Sequence, residues 1–170
     1  MKFLSFSEDS ITIISENDSE TFAAGQALGE AAFPGLLILL KGTLGMGKTR
    51  LTQGIGAALG ISRVKSPTFI IMSEHNGKLP LLHADLYRIK DESEIDALGI
   101  EECLDEGFVG VVEWAERWGS VRESERIDVE FSPVPGSDDA RLLKITCLGE
   151  SPRAAFQKFS KKIESMRCEQ

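Results

Sequence analysis

Residues 42 to 49 read Gly-Thr-Leu-Gly-Met-Gly-Lys-Thr, a full match to the pattern G-x-x-x-x-G-K-[ST]. This run constrains the fold more than any other, because such a loop needs a strand to deliver it and a helix N-terminus to follow it. Gly42, Gly45 and Gly47 lack a Cβ, so the backbone can bend tightly and aim successive N–H groups at phosphate oxygens. Lys48 brings a compact positive charge to the β- and γ-phosphates, and the Thr49 hydroxyl is placed to ligate Mg²⁺. The flanking residues agree. Leu36-Leu37-Ile38-Leu39-Leu40 is a short apolar run that reads as a buried parallel strand. After Thr49, residues Leu51, Ile55, Ala58 and Leu59 fall on one helical stripe. Strand, glycine loop and helix turn the positive end of a helix dipole toward an anion. A chance glycine-rich turn would lack both neighbours. Leu44, Gly45, Met46, Gly47, Lys48 and Thr49 are therefore the expected nucleotide-contacting residues.

A chain of 170 residues suits a single domain, expected over residues 1–150 with a helical tail over 151–170. The net charge of -8 argues against a broad, sequence-independent grip on nucleic acid, which needs a basic surface. Any contact with RNA is then local or supplied by a partner. Cys103, Cys147 and Cys168 are widely spaced and form no C-x-x-C pair, so they read as reduced thiols. The segment from Met1 to Asp9 turns acidic before a signal-peptide core can form. No apolar stretch approaches the roughly 18 residues of a membrane span. A cytoplasmic protein with no membrane partner is expected.

Ser10 to Ser15 predicts a first strand. Asp18-Ser19-Glu20-Thr21 predicts a helix start, and the Ala-rich helix runs to about Phe33 before Pro34-Gly35 stops it. The helix after the glycine loop ends at Gly60. Phe69 to Glu74 and Leu79 to Ala84 are strand-like and joined through Asn76-Gly77, which makes them antiparallel and the sheet mixed. Asp91 to Leu98 reads as an acidic helix, with a further short helix near Glu101 to Leu104. Phe108 to Val112 is another buried strand, ending at Glu113. Ile127 to Phe131 and Leu142 to Cys147 form a late antiparallel strand pair across the polar turn Gly136-Ser137-Asp138-Asp139. Phe156, Phe159 and Ile163 share one side of a final amphipathic helix.

Hydrolysis of a bound nucleotide needs carboxylates near the metal and the attacking water. Glu113, at the end of an apolar strand, stands where a Walker-B acid would hold Mg²⁺ opposite Thr49. A plain charged strand end has the same appearance without the glycine loop. His83, Asp85 and Tyr87 alternate, which predicts one shared strand face. Asp85 is then a candidate to orient water, with His83 fixing its direction. A zinc pair is disfavoured, since no third ligand is evident. Arg88 either touches phosphate or pairs with an acid such as Asp91. Ser66-Pro67-Thr68 reads as a switch-like loop or as an ordinary one. Trp114 reads first as core packing.

Several nucleotide-binding classes are excluded by missing parts. N-K-x-D, which selects guanine, is absent, and Asp96-Ala97-Leu98-Gly99 matches D-x-x-G only within a helical segment. The transporter signature L-S-G-G-Q is absent. Neither an Arg-rich lid nor a substrate domain of a small-molecule kinase is evident. A mixed-sheet Mg-nucleotide-binding ATPase remains, with the base undetermined; a small-molecule kinase and a nucleotide-sensing module are the alternatives.

The glycine loop, Ser66-Pro67-Thr68-Phe69, His83-Ala84-Asp85-Leu86-Tyr87-Arg88 and Glu113-Trp114 together resemble the TsaE (YjeE) family in order and spacing, over about Asp18 to Trp118. The resemblance implies a P-loop NTPase-like three-layer α/β sandwich. It also implies the ATPase subunit of bacterial N6-threonylcarbamoyladenosine formation in tRNA, working with TsaB and TsaD and meeting tRNA only through that complex. On this resemblance ATP and Mg²⁺ are the cofactors. Lys48 holds phosphates, Thr49 and Glu113 hold the metal, Asp85 assists hydrolysis and Trp114 lies near the nucleotide rather than in the core. Ser19 and Thr21 are further candidates for contact with the base. Thr43 and Ala84 depart from the family pattern, as does Arg50, which replaces a second hydroxyl residue and leaves the α-phosphate to a backbone N–H.

Overall fold

The computed structural model describes residues 1–64, 71–123 and 125–167. Its strands are β1 (Lys2–Phe6), β2 (Ser10–Ser15), β3 (Leu37–Lys41), β4 (Met72–His75), β5 (Leu81–Asp85), β6 (Val109–Glu113), β7 (Arg126–Val134) and β8 (Ser137–Leu148). They form an eight-stranded sheet in the order β1-β2-β8-β7-β3-β6-β5-β4. Strands β7, β3, β6 and β5 run parallel, while β4 and the β1-β2-β8 group are antiparallel to their neighbours. The sheet is thus mixed, as the Asn76-Gly77 turn requires.

The central strands are apolar on both sides because both sides are covered. Along β3, Ile38 and Leu40 join one apolar cluster, while Leu37 and Leu39 join another. The first cluster packs under α1 (Asp18–Ala31), α2 (Lys48–Ala58) and α5 (Arg153–Arg167). The second packs under the short helices α3 (Ser93–Asp96) and α4 (Ile100–Asp105). Phe156, Phe159 and Ile163 of α5 are buried in the first cluster, so the expected amphipathic face is a core face.

Helix α1 starts where Asn17 accepts a hydrogen bond from the Glu20 N–H, the side-chain cap a helix N-terminus needs. It crosses α2 at glycines. A Cβ on Gly25 would lie 2.1 Å from the Leu51 carbonyl oxygen, and one on Gly54 would lie 2.2 Å from that of Phe22. This close approach brings the N-terminus of α1 beside the loop that precedes α2.

Two elements differ from expectation. Strand β1 lies in a segment that had suggested none; it is an edge strand held by pairing with β2. The segment Asp91–Leu98 yields only the single turn of α3, because Gly99, at φ 69°, breaks the path before α4. Phe69 and Ser66-Pro67-Thr68 lie outside the described residues.

Candidate functional site

The loop joins the carboxyl end of β3 to the N-terminus of α2, with β6 alongside β3 and β5 alongside β6. In an open α/β sheet this end of the parallel strands is where ligands bind. Gly47 caps α2 in the left-handed region at φ 94°, with no side chain capping the helix. The first N–H groups of α2 are therefore left to an external acceptor. Gly42 has φ 132°, and a Cβ there would come within 2.7 Å of the Phe131 carbonyl oxygen on β7. Only glycine fits that turn against the hairpin. Leu44, at the tip, is 75% exposed.

Lys48 is 4% exposed and its Nζ donates to the carbonyl oxygens of Gly42 at 2.5 Å and Thr43 at 2.9 Å. The ammonium also lies 4.0 Å from the centre of the Trp114 ring, within cation–π range. Burial pushes its pKa below the ordinary lysine value, against the pull of Glu113, Glu116 and Asp85. A desolvated cation facing uncapped helix N–H groups suits a multiply charged anion.

Glu113 ends β6, is 2% exposed and faces α2. Its Oε2 accepts from Thr49 Oγ1 at 3.0 Å; its Oε1 accepts from Thr52 Oγ1 at 3.2 Å and lies 2.8 Å from His83 Nε2. A buried carboxylate is tolerable only with such partners. The fit to a hard cation is good. Mg²⁺ takes oxygen ligands and is commonly held by one or two carboxylates together with substrate phosphates, and Thr49 and Glu113 supply a hydroxyl and a carboxylate at one point.

Asp85 is the register neighbour of Glu113 on β5. It is half-buried and accepts from the Tyr87 N–H at 2.9 Å. Burial raises its pKa, and Glu113 adds to that, while the Tyr87 N–H opposes it. Two sequence readings change here. His83 is turned onto Glu113 rather than Asp85: the three share one face of the sheet, and it is Glu113 whose Oε1 lies 2.8 Å from His83 Nε2. Tyr87 leaves the strand, since Leu86–Arg88 form a 3-10 turn. Its ring still reaches Trp114, with centroids 4.8 Å apart.

Trp114 is half-buried and adopts φ 60°, a left-handed conformation that costs a bulky residue energy. It packs against the second apolar cluster while covering Lys48. The core-packing reading thus describes one side of the ring, and the other side lies over Lys48. Arg50 turns away from the loop, pairing with Asp18 at 2.7 Å and lying over the Phe22 ring. Thr21 lies beside Gly47, and it exchanges a 2.7 Å hydrogen bond with Ser15. Ala84 is buried in the second cluster. Thr52 carried no signal in the sequence beyond its place one turn after Lys48.

The model of the family described as "Threonylcarbamoyl adenosine biosynthesis protein TsaE" matches residues 15–141. The chain belongs to the TsaE family. Its match to TsaE of Bacillus subtilis (strain 168), named a tRNA threonylcarbamoyladenosine biosynthesis protein, is 41% identical over 135 residues, covering 78% of this chain and 83% of the relative. TsaE of Nostoc sp. is 42% identical over 116 residues, covering 64% and 71% respectively. The crystal structure of Bacillus subtilis YdiB superposes with a TM-score of 0.77 at 30% identity, covering 92% of this chain and 98% of that one. The TsaE match spans the whole loop–Lys48–Glu113 constellation. No helix of the described residues is long and apolar enough to cross a membrane.

Proposed function

We propose that this protein is a P-loop NTPase-like, Mg-dependent ATP-binding and ATP-hydrolysing subunit of the cytoplasmic machinery that forms N6-threonylcarbamoyladenosine in tRNA, acting with TsaB and TsaD. Membership of the TsaE family supports the pathway. The observation that carries the chemistry is the 3.0 Å contact between Thr49 and Glu113 at the end of the glycine loop. It sets a hydroxyl and a strand-end acid side by side, a pair of oxygen ligands that would suit a nucleotide's metal.

In this reading the N–H groups of Leu44 to Thr49 cradle the phosphates, and Lys48 exchanges the Gly42 and Thr43 carbonyls for phosphate oxygens. Thr49 and Glu113 would hold Mg²⁺, which would supply charge neutralisation at the phosphates. Asp85, beside Glu113 and half-open to solvent, accepts a hydrogen bond from the attacking water and orients it. The Trp114 ring screens Lys48 from solvent, which strengthens its attraction for phosphate. The acidic composition of the chain fits a subunit that meets tRNA through partners rather than by its own surface.

The test is ATP turnover measured with the chain alone and with TsaB and TsaD added. Slow release of phosphate alone and faster release in a detectable complex are expected. Unchanged rates with no complex would refute the partnership. A phosphorylated small-molecule acceptor would favour a kinase instead.

A further inference from the structure

The side chains around Glu113 divide its two carboxylate oxygens unequally. Each oxygen of a carboxylate offers about two acceptor positions. Oε1 has His83 Nε2 at 2.8 Å and Thr52 Oγ1 at 3.2 Å, so both of its positions are used. Among the described residues Oε2 has Thr49 Oγ1 alone. Thr52 has one proton to give and shares it with the Lys48 carbonyl at 3.1 Å, which makes His83 the principal holder. His83 is 0% exposed, and its Nδ1 is buried with no hydrogen-bond partner among the described residues. Among the described residues no other group hydrogen-bonds the ring, so Glu113 sets its direction and it sets that of Glu113.

We infer that His83, aided by Thr52, is a positioning residue that occupies Oε1 of Glu113 and so presents Oε2 alone, beside Thr49, to the nucleotide's cation. This rests on the proposed role of Glu113 toward the metal, and it adds the binding mode: one oxygen, directly or through a water. The arrangement spans three elements, with His83 on β5, Glu113 on β6 and Thr52 on α2. A carboxylate free to rotate would lose that commitment, and residues that orient a metal ligand typically change metal affinity about 10- to 100-fold.

The experiment titrates a fluorescent, non-hydrolysable ATP analogue into the full-length chain, once with Mn²⁺ and once with EDTA. The ratio of the two affinities is the metal-linked gain, which general loosening of the core would not alter selectively. His83→Asn keeps a polar amide but is too short to reach Oε1; His83→Gln extends its N–H to the position of Nε2. His83→Asn is expected to lower the gain about 10-fold or more and to leave the affinity in EDTA unchanged, whereas His83→Gln restores most of it. Equal gains in both variants and the wild type would overturn the inference. Thr52→Val, which trades a hydroxyl for a methyl at nearly constant volume, should lower the gain less. If neither His83 variant folds, an unchanged gain in Thr52→Val overturns it. Glu113→Gln separates the two levels of the argument. If that variant also keeps the full gain, the metal role of Glu113 fails; if it loses the gain while His83→Asn keeps it, only the positioning role fails.

Discussion

At the scale of single residues the site is a set of buried charges held by few partners, so small changes have selective effects. Lys48→Ala removes the ammonium held against the loop, and nucleotide affinity should fall by about 1.5–3 kcal/mol, tenfold or more, by titration calorimetry. Glu113→Ala should spare nucleotide affinity more than turnover, since its contacts go to the Thr49 and Thr52 hydroxyls and the His83 ring rather than to the loop N–H groups; equal losses of both would contradict its assignment to the metal. Trp114 covers Lys48 at 4.0 Å, so withdrawal of the ammonium onto phosphates should change its fluorescence, and the change should vanish in Trp114→Phe. Asp85 gives a pH dependence whose sign follows from its raised pKa. Between the ordinary aspartate value and the raised one, the folded chain holds a proton that the unfolded chain has released. Stability therefore falls as pH rises through that window, and the penalty is complete above it. Asp85→Asn should be more resistant to urea than the wild type at pH 7, with the difference closing as pH drops below the ordinary aspartate range.

At the scale of elements, the α1–α2 crossing decides where the site lies. Gly→Ala inside a helix ordinarily gains about 1 kcal/mol. At Gly25 and Gly54 the added Cβ would meet backbone carbonyls at 2.1 and 2.2 Å, and these cannot yield without moving a helix. Gly25→Ala and Gly54→Ala should each lose about 1–3 kcal/mol by urea denaturation; a gain in either would show that the helices can separate freely. The sequence revealed β3, the loop, α2 and β6 because each carries a local signal: an apolar run, positioned glycines, a helical stripe. The β4–β5 hairpin was legible through Asn76-Gly77. Strand β1 was not, since an edge strand with exposed Leu4 and Phe6 owes its existence to pairing with β2. The same limit applied to side chains. Glu113 and Asp85 were identifiable as strand-end acids, but the attachment of His83 to Glu113 depends on which strands are neighbours. Strand order is a property of the sheet, not of any segment. Thr52 became visible only once α2 lay against β6.

At the scale of the whole molecule, α5 completes the core from far along the chain, Arg153–Arg167 packing on the same cluster as Lys48–Ala58 of α2. Phe159 is fully buried, and Phe159→Ala should cost about 3–5 kcal/mol by the same urea assay, as a core residue would and a loosely attached tail would not. The buried Asp128 joins Lys41 at 2.5 Å to Arg126 at 2.7 Å, fixing the end of β3 to β7 just before the loop begins. Asp128→Ala, which removes the anion between Lys41 and Arg126, should lose about 1–3 kcal/mol. The loop supplies its own acceptors for Lys48 in the carbonyls of Gly42 and Thr43. Those two oxygens act as an internal competitor. On the proposed function, an arriving triphosphate would trade places with them rather than fill a void, and on its departure the same two carbonyls would give the ammonium somewhere to return.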